Sequence, residues 1–534
     1  MKPLPTLAQI GQRVSLRLHD PEGGFRDLLG HLVAVNQVRK KDGQIVTFDP
    51  DRISLWKVVP SNPIFTGIFL YDTMSRTQRE LTISDGKALR MYCCGPTVYR
   101  DAHVGNLRTF LLGDLIMRLV RLDGHRVRSV QNITDVGHMS EDINSTEELE
   151  DKILSQAKAE RRDPFDVARS YEAGFHQDIA RLAISTSDIY PRASESIELM
   201  HRLIEKLIDS DHAYIGGDGS VYFSAGSFES YGTLSGNKLT ELIPGHRYEY
   251  EEEDDTKRFH ADWALWKAAG SRSEMVWDSP WGRGFPGWHI ECSAMSLHYL
   301  DNHVDLHLGG IDLRFPHQEN ERAQSNCASS SEETDHWVHG EHLLFEGRKM
   351  SKSSGNVVLL DDVIRRGFDP LALRLVFLEN KYRSQMDLTW DLISAADSTI
   401  ARWRNKYQEW SKSEAHNDPE AVAAIIDSIY TLLRADLDTP RALVKMRTLE
   451  RDPSISDSCK AQVFAEADKF FGLDVTRTYI ELELTPEIQL LITLRAQARE
   501  AKDFARSDEL RDDLATKKIK VIDGPNGQSW EVIP

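Results

Sequence analysis

Two cysteines, a histidine and a glutamate are the residues of this chain with the most chemistry to offer. Cys94 follows the run Met91-Tyr92-Cys93, Cys292 closes Gly287-Trp288-His289-Ile290-Glu291, and a third cluster reads Phe315-Pro316-His317-Gln318-Glu319-Asn320-Glu321. His317 and Glu321 are four residues apart and Pro316 suits a first helical position, so both side chains are expected on one helix face. Two thiolates, an imidazole and a carboxylate make a tetrahedral zinc set, too soft for magnesium or calcium. From the residues alone the question stays open, because the ligands are scattered, a buried cysteine commonly serves as a small hydrophobe, and His317 with Glu321 reads equally as a helix-surface pair. Cys93 points to the opposite side of an extended strand from Cys94 and reads as packing.

A second pair of segments suits phosphate. Ala102-His103-Val104-Gly105-Asn106 opens a stretch in which Leu107, Leu111, Leu115 and Leu119 recur every four residues, one apolar face of a helix. Ala88 to Cys93 reads as the strand that feeds it, and a strand-turn-helix unit presents unpaired N–H groups and a positive dipole end to an anion. His103 is placed to donate to charge developing on a phosphate, and Gly105 lets a flat ring approach the backbone. A histidine beside a glycine at a helix start is also an ordinary cap. Far downstream, Gly347-Arg348-Lys349-Met350-Ser351-Lys352-Ser353-Ser354-Gly355 carries two lysines on a glycine-bounded loop, a clamp for polyphosphate or simply a solvated basic loop.

The elements that must hold these residues fall into a few territories. From Val14 to Val59, alternating runs such as Val14-Ser15-Leu16-Arg17-Leu18 and Gln44-Ile45-Val46-Thr47-Phe48, with turns such as Lys41-Asp42-Gly43, predict a small β-barrel over 1–62, ended by Pro60 and Pro63. Short strands alternating with helices predict an α/β core with a mostly parallel sheet over 63–360. Helical periodicity follows over 361–480, as in Leu371 to Leu378, and over 481–534, where Ile488 to Leu514 precedes strands around Pro525-Asn526-Gly527. The acidic run Glu249 to Asp255 reads as a solvated loop.

With 534 residues the chain has room for three or four domains. Its 28% charged and 40% hydrophobic residues exclude wholesale disorder and a membrane bundle. Five cysteines, an odd number over so long a chain, argue against a disulfide framework and for a reducing compartment, and no signal segment precedes the first domain, so a cytoplasmic location is expected. The net charge of −19 favours a small-molecule partner over nucleic acid.

The two phosphate-facing segments, His103-x-Gly105-x and Lys349-Met350-Ser351-Lys352-Ser353, resemble the signature motifs of class I aminoacyl-tRNA synthetases, with Asn106 where that family normally has histidine. Cys94-Gly95-Pro96-Thr97-Val98-Tyr99, Gly287-Trp288-His289-Ile290-Glu291-Cys292-Ser293-Ala294-Met295 and Phe315-Pro316-His317-x-Glu319-Asn320-Glu321 resemble those of the cysteinyl-tRNA synthetases. The likeness runs from about Phe69 to the end and leaves the barrel without a counterpart. It implies a class I Rossmann-like core with an insertion and a carboxy-terminal helical bundle, while the alternating runs in front of them are expected to form a small SH3-like barrel. It further implies one Zn²⁺ on Cys94, Cys292, His317 and Glu321, and ATP with Mg²⁺ held by His103, Gly105, Asp312 and Lys352. His103, Asn106, Lys349 and Lys352 become the catalytic group, while Thr134 and Trp288 line the cysteine pocket. The implied partners are L-cysteine, ATP and tRNA(Cys), with no membrane and a monomeric chain, so the motifs override the charge argument against nucleic acid. Two other readings are a cysteine ligase acting on an amino sugar, as in the mycothiol pathway, and a non-catalytic paralogue that only binds.

Overall fold

The computed structural model describes all residues except 1–4, 6–9, 11, 21–22, 41–43, 60–61, 138–150, 242–256, 330, 351–355, 414–417, 478–484, 518, 525–526 and 533–534. Lys352, the acidic run Glu249 to Asp255 and the turns at 41–43 and 525–526 therefore lie outside the described residues.

Residues 13–58 form one antiparallel sheet of five strands, Arg13–His19, Phe25–Ala34, Gln37–Arg39, Ile45–Thr47 and Ile53–Val58. Strict alternation places Val14, Leu16, Leu18, Leu28, Leu32 and Val38 on the inside, a core separate from the main one. A hairpin, Ile64–Asp72 with Thr77–Ile83, then leads into the α/β core.

Four parallel strands make the centre of that core, in the order Trp337–Gly340, Leu306–Gly310, Leu89–Cys93, Val127–Gln131. The chain runs outward on one side of Leu89–Cys93 and later returns on its other side, so strand order reverses between Leu89–Cys93 and Leu306–Gly310. A cleft opens at the carboxy ends of two strands that diverge in this way, and ligands of open α/β sheets bind there. The expected helix is Val104–Leu122. Leu107, Leu111, Leu115 and Leu119 are buried, but so are Phe110, Leu112 and Ile116, so the helix is enclosed on most sides rather than on one face.

An antiparallel sheet of Ala213–Ile215, Val221–Phe223, Trp263–Ala268 and Gly284–Pro286 is inserted before the helix Trp288–Tyr299. Helices dominate from Pro370, and Arg374 on Pro370–Leu378 locks them to the core. Its guanidinium, fully buried, meets Asp114 at 2.7 Å and donates to the carbonyls of Leu182, Ala183 and Phe471. Stranding either charge of such a pair costs roughly 3–5 kcal/mol.

The stretch from Ile488 to Leu514, expected to be helical, holds two helices, Pro486–Glu500 and Phe504–Thr516. Lys502 takes a positive φ of 58°, and Asp503 caps the second helix by accepting from Arg506 N, so the chain turns despite continuous helical patterning. A hairpin of Ile519–Gly524 and Gly527–Val532 packs on them through Ile519 and Val521. Among the described residues no helix is long and apolar enough to cross a membrane.

Candidate active site

One end of the cleft is built around a helix cap. His103 takes extended backbone and its Nδ1 accepts from Gly105 N at 3.1 Å and Asn106 N at 3.3 Å, while Asn106 Oδ1 accepts from His103 N. The modest reading of these residues as a cap is therefore correct, and it carries a chemical consequence. With Nδ1 occupied as an acceptor, the proton sits on Nε2, which is left as a donor. Burial, with Arg100 adding to it against Asp312, lowers the His103 pKa to about 4, so the ring stays neutral and keeps that tautomer.

The lysine segment reaches the same place. Val104 N donates to Val358 O at 3.0 Å, and a Cβ on Gly105 would meet Met350 Cε at 3.1 Å. Lys349 is exposed on the two-residue strand Arg348–Lys349, and Asn356 Nδ2 donates to its carbonyl, closing the base of the loop. Arg108, buried on the capped helix, donates to the carbonyls of Glu341, His342, Lys381 and Ser384, and thereby fixes the segment from which the loop departs. Asp312 follows the strand Leu306–Gly310 by two residues, and a side chain at Gly310 would collide with its carboxylate.

The other end of the cleft is a buried cluster. Cys94 ends the central strand and is tied by its N–H to Leu308 O at 3.1 Å, Cys292 lies on Trp288–Tyr299, and His317 and Glu321 stand at the start of the helix that follows Leu306–Gly310. One ligand atom from each of the four lies within 4.8 Å of the others, and none of the four residues is more than 4% exposed. Helical spacing brings His317 Nε2 to 3.0 Å from Glu321 Oε1, as expected for neighbours four apart.

The electrostatics of this cluster ask for a cation. Burial pushes the Cys94 thiol up to about 11 and the Cys292 thiol well above its usual range, so neither ionises unaided. Burial opposes protonation of His317, yet Glu321 and Cys292 raise its pKa to about 10. Among the described residues Glu321 Oε2 accepts no hydrogen bond, an uncommon state for a fully buried carboxylate oxygen. Three groups that are anionic when deprotonated converge on the His317 imidazole, with the His307 ring 3.5 Å from Cys94 Sγ and Glu321 Oε2, and a divalent metal would supply the missing charge. The donor set fits such an ion.

Several partners of this cluster carry no sequence signal of their own. Gln318 Nε2 donates to Cys94 Sγ at 3.4 Å, its Oε1 bonds His339 Nε2, and His339 Nδ1 meets Thr73 Oγ1 at 2.7 Å. Burial lowers the His339 pKa to about 3, so the ring is neutral, with Nε2–H donating to the amide and Nδ1 accepting from Thr73. The amide cannot then flip its oxygen toward the sulfur without losing both bonds. Position next to His317 was a usable clue to Gln318, whereas His339 and Thr73 join it only through the fold.

Trp288 and Thr134 face the same neighbourhood. The Trp288 ring lies 4.1 Å from that of His317, centroid to centroid. Thr134 is buried, accepts from Asn132 Nδ2 and donates to Glu291 Oε2, each at 3.0 Å. Burial raises Glu291 well above the usual carboxylate range, and sequence reasoning had passed it over. Of the twelve residues singled out beforehand, Cys94, Cys292, His317 and Glu321 meet in one cluster, with Trp288 against His317 and Thr134 bonded to Glu291; His103, Gly105 and Asn106 share the helix cap, Asp312 follows the strand Leu306–Gly310, Lys349 is exposed on Arg348–Lys349, and Lys352 lies outside the described residues.

Comparison with known proteins was decisive for the family. The tRNA synthetases class I (C) catalytic domain matches residues 80–398, and the cysteinyl-tRNA ligase anticodon binding domain matches 482–530. A cysteine–tRNA ligase of Thermus thermophilus is 39% identical over 486 residues, covering 87% of this chain and 99% of the relative. The chain belongs to the class I cysteine–tRNA ligase family. Another cysteine–tRNA ligase, from Opitutus terrae, is 39% identical over 86% of this chain and 98% of its own length. Among solved structures, methionyl-tRNA synthetase of Mycobacterium tuberculosis superposes with a TM-score of 0.50 at 15% identity, over 73% of this chain and 89% of that one, a likeness of fold. The amino-terminal barrel is accounted for separately, since residues 8–57 match the Rv0428c N-terminal Sm-like domain. A small barrel in front of a cysteine–tRNA ligase body is what the sequence led one to expect.

Proposed function

We propose that the chain joins L-cysteine to tRNA(Cys) at the expense of ATP, with the buried thiol-rich cluster as the feature that selects the amino acid. Family membership and the anticodon binding domain at 482–530 support the reaction and disfavour an amino-sugar acceptor. The observation that carries the selection is the convergence of Cys94, Cys292, His317 and Glu321 beside Trp288 and Thr134.

Cysteine and serine differ by one atom, and apolar packing separates such near-isosteres by only about 1–3 kcal/mol. A zinc ion held by the four ligands would supply a soft Lewis acid, for which a thiolate is a far better ligand than a hydroxyl. This chain's own residues do the rest. Trp288 walls the pocket, Thr134 is held in one orientation by Asn132 and Glu291, and Gln318 keeps Cys94 aimed.

In the first step an oxygen of the cysteine carboxylate attacks the α-phosphorus, and the bond to pyrophosphate breaks. His103 Nε2–H, at the amino end of the capped helix, donates to the phosphate oxygens, and Lys349 with Lys352 neutralises charge on the leaving pyrophosphate. Asp312 is placed to accept from the ribose hydroxyls. In the second step the 2′-hydroxyl of the terminal tRNA ribose attacks the acyl carbon and AMP departs. No side chain forms a covalent bond to substrate, so rate comes from positioning and fixed charge.

The test supplies ATP, labelled cysteine and total tRNA to the purified protein. Acid-precipitable label that ribonuclease releases is the expected result; label only on a small amine would assign the amino-sugar reaction instead. Pyrophosphate exchange that requires cysteine excludes a protein that merely binds.

A further inference from the structure

The barrel takes no part in this chemistry. It approaches the rest of the molecule at Lys87, whose Nζ lies 3.1 Å from His31 Nε2. Lys87 precedes the strand Leu89–Cys93, so this contact is at the amino-terminal end of the central sheet, opposite the metal ligands and the capped helix. Its core is its own, and the sheet face turned away from that core touches the body at His31, with Asp85 and Asp301 of the body also near that ring.

Strand register lays that face out in rows. Ile45 pairs with Arg39, Arg39 with His31 and His31 with Arg13, one row across four strands. Leu29, Ser15 and Lys57 form the next row, and Asp27, Arg17 and Leu55 the third. The intervening residues, Val14, Leu16 and Leu32 among them, fill the core, so these rows point outward. Arg13, Arg17, Arg39 and Lys57 are exposed, and the one carboxylate in the three rows, Asp27, is bound by Arg17 at 2.7 and 2.8 Å. Between the cations stand apolar side chains held in water: Leu29 is 46% exposed, Ile45 52%, Leu55 57%, and Phe25, beyond the third row, 59%.

Charge sets this segment apart from the body it is joined to. Residues 1–60 hold nine Lys and Arg against six Asp and Glu, a balance of +3, which leaves −22 on the remainder of a chain whose total is −19. An acidic protein that acts on a polyanion needs local basic surfaces. Cations spaced among exposed apolar and aromatic groups suit a sugar-phosphate backbone whose sugars and bases lie against the apolar groups.

We propose that the outward face of this sheet, centred on Arg13, Arg39 and Lys57, is a docking surface for the phosphate backbone of the tRNA substrate. It engages a part of that RNA remote from the reacting end, because the barrel meets the core at the end of the sheet away from the cleft. The proposal rests on the reading that the chain charges tRNA.

The test is made on the full-length protein with Arg13→Gln, Arg39→Gln and Lys57→Gln combined. These side chains are exposed, so thermal stability is expected to stay put. Removing three phosphate contacts should weaken tRNA binding at about 0.1 M salt by tenfold or more, and should lower the slope of log Kd against log salt by roughly 2 to 3. Cysteine-dependent pyrophosphate exchange, which needs no tRNA, should match wild type. Arg13→Lys with Arg39→Lys keeps the charge and should keep wild-type affinity and slope. An unchanged affinity and slope in the triple variant would overturn the proposal, as would loss of binding to anionic phospholipid vesicles with tRNA binding intact, or failure of the lysine pair to preserve affinity. Failure of wild-type protein to charge tRNA would instead remove the functional reading on which the proposal rests.

Discussion

The two ends of the cleft are built in opposite ways. The metal-ligand end draws Cys94, Cys292, His317 and Glu321 from separate elements into a site at most 4% exposed, fixed by the Thr73–His339–Gln318 chain of hydrogen bonds. The other end, proposed above to hold the nucleotide, presents exposed Lys349 and the His103 helix cap. Selection between near-isosteres demands a rigid pocket whose error is small against an atom's width, whereas a polyphosphate must be gripped and then let go. Burial and exposure are thus allotted by task.

The largest effect separating the two ends is expected from Cys292→Ala. It should release the metal and lower cysteine-dependent pyrophosphate exchange by roughly 10³-fold or more, because both recognition and pocket geometry go together. Elemental analysis beside the exchange rate checks this, and a metal-free variant with full activity would contradict it.

Lys352→Ala should lower exchange by about 10²–10³-fold, the usual cost of one preorganised charge, with metal content untouched. Loss of metal in this variant would mean that the two ends are not independent.

A smaller and more selective change is expected from Gln318→Ala. Losing the N–H that points at Cys94 should weaken metal binding roughly 10–100-fold in a chelator competition, as for other groups that orient ligands. Equal metal affinity would reduce the hydrogen-bond chain to packing. Gln318→Glu sets a carboxylate against the sulfur and should weaken binding further.

A last expected effect, on stability rather than on activity, concerns pH. His103 and His339 have folded pKa values lowered to about 4 and about 3, mainly by burial, while the unfolded chain binds these protons near 6.5. Stability is therefore full above that value and falls as pH drops toward 4, by up to about 1.4 kcal/mol per unit for each group. Denaturant midpoints between pH 7 and 4.5 read this, and His339→Gln should flatten part of the slope. A midpoint that does not move would show that neither ring is buried neutral.

How much of this was legible beforehand follows the same division. His317 and Glu321 announce themselves by helical spacing, and the strand before Cys94 by its apolar run. The meeting of Cys94 with Cys292, 198 residues apart, is set by the reversal of strand order, which no local pattern encodes. His103 was visible as a cap or as a phosphate donor, and the structure unites the two readings, since capping through Nδ1 is what leaves Nε2 as the donor. Thr73, His339 and Glu291 were missed because a single polar residue in a turn, on a strand or on a helix has no period to betray it.

The most direct test of the account is the preference for cysteine over serine in pyrophosphate exchange, measured as a ratio of kcat/KM before and after the metal is stripped. With metal bound, discrimination should exceed the roughly 10–200-fold that pocket packing alone provides, and stripping should bring it down into that range. A stripped protein that still rejects serine as strongly as the loaded one would contradict the claim that the buried cluster reads the thiol.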